Sequence, residues 1–357
     1  MGVKRTTRAR LGSLFNDAAD NVRGKVVGMY GILLLFNLGA WLWAVMAFRH
    51  SSVLLGTALL AYSLGLRHAV DADHIAAIDN VTRKLMQNGK RPVWVGLLFS
   101  LGHSTTVVLG FAAIAGAARS LEHSLIGLRT IGGLVGTLVS ALFLFAIAIV
   151  NLFILRAVFR AFRKVRRGEP YFEEEFDEIL GSPGFLARIF RPIFTMISRS
   201  GHMYPLGVLF GLGFDTATEI GLLGISAAEA SKGLSIWLIS VYPILFAAGM
   251  SLIDSTDNVL MLGAYGWAFL KPIRRLYYNV TITCISVVVA LIVGAIEALG
   301  LVAGHFHSQG GFWGEIDRLN RHFGTLGYLI VGLFVLSWVV SIAVYKWRRF
   351  DDVELST

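Results

Sequence analysis

Long apolar stretches separated by short polar ones dominate the chain. A helix rises ~1.5 Å per residue, so crossing ~30 Å of hydrocarbon takes about 20 apolar residues. Eight stretches reach that length, at about 26–47, 53–80, 93–117, 130–155, 204–228, 234–262, 278–303 and 325–346. The pattern predicts an all-α integral membrane protein, a polytopic bundle of eight transmembrane helices. The first stretch does not read as a signal peptide, because no small-residue cleavage pattern follows it and a second apolar stretch does. The expected organisation is an arm at 1–25, helices one to four over 26–155, a connection at 156–203, helices five to eight over 204–346 and a tail at 347–357.

The connection at 156–203 opens with a basic helical stretch (Arg156, Arg160, Arg163, Lys164, Arg166, Arg167). An acidic patch, EEEFDE, follows at 173–178, and Pro170, Pro183 and Pro192 break the segment. It reads as an interfacial helix against anionic lipid headgroups followed by a solvated linker, and the N-terminal arm has the same character. Membrane lipid is therefore an expected partner.

Composition agrees with the pattern. The chain is 55% hydrophobic and 15% charged, against ~45–50% and ~25% for soluble proteins. Its one cysteine, Cys284, excludes an internal disulfide and a Cys-x-x-Cys site. No phosphate-binding loop occurs, so the chain has no means of its own to use ATP, and nothing in the sequence points to an ATPase partner.

The net charge of +9 would suit nucleic acid, but its distribution points elsewhere. Of 32 basic residues, 25 fall in the arm, the 2–3 loop, the 4–5 connection, the 6–7 loop and the tail. The opposite loops hold six: Arg49, Arg119, Arg129, Lys232, Arg318 and Arg321. The positive-inside bias puts both termini and the 4–5 connection of this multi-pass protein in the cytoplasm. Nucleic acid is not an expected partner.

Inside the predicted spans the sign reverses. Eight carboxylates lie there (Asp71, Asp73, Asp79, Asp215, Glu219, Asp254, Asp257 and Glu297) against Arg67 alone, a formal charge of −7. One charge at a helix centre costs ~2.5–3.5 kcal/mol even on the mild insertion scale. So these groups must face one another, water, protons or a passing cation. Three histidines, His68, His74 and His103, stand among them. Imidazole with carboxylate and no thiolate suits a borderline transition metal rather than Mg2+ or Ca2+.

Span two is densest, with RHAVDADHIAAIDN from Arg67 to Asn80. On one ideal helix His68, Asp71 and His74 share an arc of about 120°, yet i to i+6 spans ~9 Å along the axis. The three could meet one ion only if the helix unwinds, as midplane helices in transporters do. The span is also long, ~42 Å, which leaves room for a break. Asp73 points away on an ideal helix, so it reads as the acceptor that orients an imidazole, or as a direct ligand if the helix breaks.

His103 in FSLGHSTTVV, taken alone, is more often a packed polar residue than a ligand. Asp215, Thr218 and Glu219 share a face in span five, and Met250, Asp254, Asp257 and Asn258 form a stripe in span six. Those methionines read as packing. Glu297 reads as a proton carrier or a partner for Arg67. FSLGHSTT at 99–106 and FGLGFDTA at 210–217 match at four of eight positions, a weak internal echo.

These residues resemble the nickel/cobalt transporter family of bacterial permeases, close to the high-affinity nickel permeases. The second-segment pattern of that family, a histidine, four spacers and Asp-His, stands here as His68 to Asp73-His74. LGHST at 101–105, LGFDTATE at 212–219 and GMSLIDSTDN at 249–258 match its other signatures in order. The resemblance implies eight transmembrane segments and high-affinity Ni2+ uptake, with Co2+ as the second substrate, across the cytoplasmic membrane. It implies that His68, Asp73 and His74 are essential, and it ranks Asp73 above the Asp71 preferred on helical geometry. The expected metal residues are thus His68, Asp73, His74, Asp71, His103, Asp215, Glu219, Asp254 and Asp257. No resident cofactor is expected; the metal is the substrate.

Two other classes compete. An intramembrane metal-dependent hydrolase would need an open metal position and a general base, and no His-Glu-x-x-His occurs. A haem electron carrier could use His68 and His103 as axial ligands, but the carboxylate excess argues against a hydrophobic macrocycle. The outer histidines His50, His123, His305, His307 and His322 read as solvated side chains. Metal ligation needs neutral imidazole, so affinity should fall in acid. A potential of 100 mV favours entry of a divalent cation by ~4.6 kcal/mol, which leaves proton coupling optional.

Overall fold

The computed structural model describes residues 16–18, 20–117, 134, 137–149, 151–153, 155–156, 159–160, 163, 197–212, 222, 225–226, 229, 233–268, 272–306 and 310–347. Among them the secondary structure is helical, with no strand.

Helix α1 (Val22–Phe48) starts where the Asn21 side chain accepts from the Gly24 N–H at 3.2 Å. Helix α2 (Ser52–His68) starts at Ser51, whose hydroxyl accepts from the Leu54 N–H. These caps satisfy amides that a helix start leaves unpaired. Helices α3 (Ala72–Gln87) and α4 (Val95–Ala117) follow, then a helical stretch over 137–149. A 3-10 turn at Ser200–His202 leads into α5 (Met203–Gly211). One turn at Ile236–Ile239 precedes α6 (Val241–Ala268), and α7 (Pro272–Phe306), α8 (Gly311–Arg321) and α9 (Phe323–Trp347) complete the order.

Helix α6 is the hub, packing on α1, α2, α3 and α4. Helix α4 lies along α5, while α3 is also covered by α7 and α9. Glycines let these backbones touch. A Cβ at Gly65 would land on the Phe246 carbonyl, one at Gly96 on the Asp254 carbonyl, and one at Gly102 on the Tyr204 carbonyl. Small residues of this kind dominate helix contacts where no water drives association. The outer helices keep apolar rows exposed: Leu34, Leu38 and Leu42 on α1, and Leu329, Leu333 and Leu336 on α9. Three- and four-residue spacing puts each row on one face, which suits lipid.

The span expectations are met only in part. Helical residues occur at all eight expected positions. Among the described residues four helices are long and apolar enough to cross a membrane, and up to six if each bent pair counts as one. The second span is one such pair, α2 and α3, bent by 50° at the break. It also runs further than expected, to Gln87, so Arg83 and Lys84 are buried on α3 rather than solvated in a loop. Arg67 is therefore not the sole cation within the spans. Helix α8 was not anticipated; it meets the following helix at 76°.

Candidate metal centre

The break between α2 and α3 builds the centre. At the end of α2 the Val70 N–H donates to the Arg67 carbonyl at 3.1 Å and the Asp71 N–H to the His68 carbonyl at 2.9 Å. These tight i to i+3 bonds close the helix. Asp71 is then extended (φ −65°, ψ 147°), and α3 begins at Ala72. Asp71 and Asp73 thus sit at a helix N-terminus, where the peptide dipoles favour negative charge. His68 ends one helix and His74 opens the next, so the axial gap of a continuous helix no longer separates them.

His103 joins them from α4. One nitrogen from each of His68, His74 and His103 lies within 4.8 Å of the other two, and all three side chains are buried. The ring centroids are 4.7–4.9 Å apart. Phe99 meets the His74 ring edge-on, and Phe246 flanks His68. The glycine contacts explain the convergence: Gly65 and Gly96 seat α2 and α4 directly on α6.

Carboxylates stand behind two of the rings. His68 Nδ1 lies 3.0 Å from Asp71 Oδ2, and His74 Nδ1 lies 3.2 and 3.3 Å from the oxygens of Asp254. With a proton on Nδ1, each imidazole donates to its carboxylate and turns its Nε2 lone pair the other way. This is how carboxylates orient metal-binding histidines. His74 Nε2 is buried and has no hydrogen-bond partner among the described residues. His68 Nε2 lies 3.0 Å from His103 Nε2. Two nitrogens each ~2.1 Å from one ion, at a right angle, would be about 3 Å apart. Ser100, which bonds Ser251 at 2.9 Å, also bonds Asp254.

The remaining expected residues divide. Asp73 is half-buried in the first turn of α3, within electrostatic reach of His74 and Asp254. Asp257 lies farther along α6, within reach of both Asp254 and Asp79. Asp215 and Glu219 lie outside the described residues. Glu297 on α7 accepts from the Ser140 hydroxyl at 2.9 Å. His103, ambiguous as an isolated histidine, is brought into the cluster. The pairing of Asp254 with His74, across 180 positions, had no signal in spacing.

The arrangement defines a class: a helical membrane protein with a buried cluster of three imidazoles backed by carboxylates, a donor set suited to a borderline divalent cation. Residues 54–344 match the family described as "High-affinity nickel-transport protein" (NicO), and the chain belongs to that family. It is 61% identical over 333 residues to the high-affinity nickel transport protein of Cupriavidus necator, covering 93% of this chain and 95% of that one. The high-affinity nickel-transport protein NixA of Helicobacter pylori (strain 26695) is 44% identical, with 90% and 97% covered. The cobalt transport protein NhlF of Rhodococcus rhodochrous is 40% identical, with 81% and 82% covered. No solved structure matches the chain.

Proposed function

We propose that this chain is a secondary transporter that imports Ni2+ across the cytoplasmic membrane of a bacterium, with Co2+ as the second substrate. Membership of a nickel-transport family supports the substrate, and the likeness to a cobalt transporter supports the second one. The convergence of three buried imidazoles at the α2–α3 break is the observation that carries the site. In this reading His68, His74 and His103 bind the ion. Asp71 and Asp254 hold the first two rings, and Asp73 supplies an oxygen ligand or a nearby countercharge. Asp257, with Asp215 and Glu219, belongs to the ion's path.

The protein crosses the membrane eight times with both ends inside, and 156–203 lies on the cytoplasmic surface between two sets of four helices. The basic-residue bias and the helical residues at all eight positions support this organisation. Neutral imidazole excludes Mg2+, which gives up water reluctantly and prefers oxygen.

The direct test is uptake of trace radiolabelled Ni2+ by cells making the wild-type or His68→Ala protein, with membrane content measured by immunoblot. His68→Ala should lose uptake while remaining in the membrane. Uptake at the wild-type level would overturn the site assignment.

A further inference from the structure

A second buried polar group lies farther along α3. Asp79 and Arg83 are four residues apart, so they share a helix face, and both are essentially inaccessible to solvent. The Asp79 carboxylate accepts from the hydroxyls of Tyr265 on α6 and Ser286 on α7. The Arg83 guanidinium donates to Thr283 Oγ1 on α7 at 3.0 Å and to Asn80 Oδ1 at 2.9 Å. Asn151 donates to the same Asn80 oxygen at 2.6 Å. Arg83 makes its described bonds to neutral groups, one helical turn from Asp79 on the same face. Its Nε is buried and has no hydrogen-bond partner among the described residues.

The position of this pair matters. Asp254 holds His74, Asp257 follows one turn on along α6, and Tyr265, about two turns farther on the same helix, donates to Asp79 beside Arg83. Carboxylates therefore lead from the histidine cluster along α3 and α6 toward the end proposed as cytoplasmic, and a fixed positive charge closes the series. A buried carboxylate without a countercharge is strongly unfavourable. A divalent cation arriving beside Asp79 supplies that countercharge and repels the guanidinium.

We propose that Arg83 is a tethered counter-cation of the transport cycle, neutralising Asp79 whenever no metal ion is beside it and yielding that place to the ion on its way to the cytoplasm. Its bonds to Thr283 and Asn80 are single contacts to uncharged acceptors, without the bidentate carboxylate bridge that would fix a guanidinium in place, so the group can be displaced. The loaded carrier does not need Arg83, since the ion compensates Asp79. The ion-free carrier needs it to return. Arg83 is thus a positioning residue for charge, not a ligand. The proposal rests on the import reading above.

Net uptake and exchange separate the two halves of the cycle. Purified protein in vesicles would be assayed for radiolabelled Ni2+ entry into nickel-free vesicles and, separately, into vesicles loaded with unlabelled Ni2+. Arg83→Gln should lower net entry by on the order of a hundredfold, the effect of an unpaired buried charge. Exchange should stay at the wild-type rate. Arg83→Lys should retain net entry, and Arg83→Gln combined with Asp79→Asn should regain it. Unchanged net entry in Arg83→Gln would overturn the proposal. So would a joint fall of net entry and exchange, or a failure of the double variant to recover, because either marks a brace in the fold. Wild-type protein inactive in both assays would count against the import reading instead.

Discussion

At the residue scale, the centre turns on which imidazole nitrogen carries a proton. With Nδ1 protonated, His74 donates to Asp254 and His68 to Asp71, so each ring has one nitrogen committed to a carboxylate and one directed away from it. Removing such an orienting partner typically weakens metal binding ~10–100-fold. Asp254→Ala should weaken Ni2+ binding by that amount. Asp254→Asn should lose less, because the amide oxygen still accepts from Nδ1. Calorimetric titration of the purified proteins in detergent measures the difference. Equal losses in both variants would make Asp254 a direct ligand or a simple charge. Much of this chemistry was legible from residue types, since histidines among intramembrane acids already indicated a borderline metal. Which acid serves which ring was not legible. Helical phase favoured Asp71 as a ligand beside the histidines, whereas the chain turns at Asp71 and gives its carboxylate to the back of His68.

At the element scale, the centre depends on a break and on backbone contact. One continuous helix would hold His68 and His74 about 9 Å apart along its axis. The tight turn at 67–71 removes that separation. Glycine then sets how near the histidine helices come to α6. Gly65→Ala would drive a methyl group into the Phe246 carbonyl, backbone that cannot swing aside. The expected cost is about 1–3 kcal/mol from overpacking, with His68 displaced from its partners. Gly28→Ala on α1 meets no atom within 4 Å and serves as the control. A thermal melt in detergent with bound and free Ni2+ checks both. A Gly65→Ala protein as stable and as metal-responsive as Gly28→Ala would remove the backbone contact from the account. The motif spacing hinted at this break through the length of the apolar run. Its position was hidden, since no glycine or proline marks residues 67–71.

At the scale of the whole molecule, charge sorts by depth. The predicted spans are negative and the loops on one side strongly positive, so the net +9 describes no single region. The topology that follows is testable with fusions. Alkaline phosphatase joined after Lys232 should be active, and joined after Lys90 inactive. A fluorescent protein at the C-terminus should fluoresce. An active phosphatase at Lys90 would reverse the orientation. Burial of Arg83 and Lys84 shows where counting along the chain fails. Basic residues beyond the apolar run looked solvated, yet α3 carries both into the interior, where Arg83 bonds Thr283 of α7.

The sequence by itself determined a helical membrane protein, its charge asymmetry, the residue types of the candidate site and the family, because these depend on residue type and local spacing. Tertiary structure decided that His103 joins His68 and His74, that Asp254 reaches back to His74, and that Asp79 and Arg83 are buried together. Each of these pairings joins positions through helix packing, or through burial that packing creates. Packing depends on where glycine lets two backbones meet and where a helix breaks, and no local pattern encodes which distant surface will lie opposite.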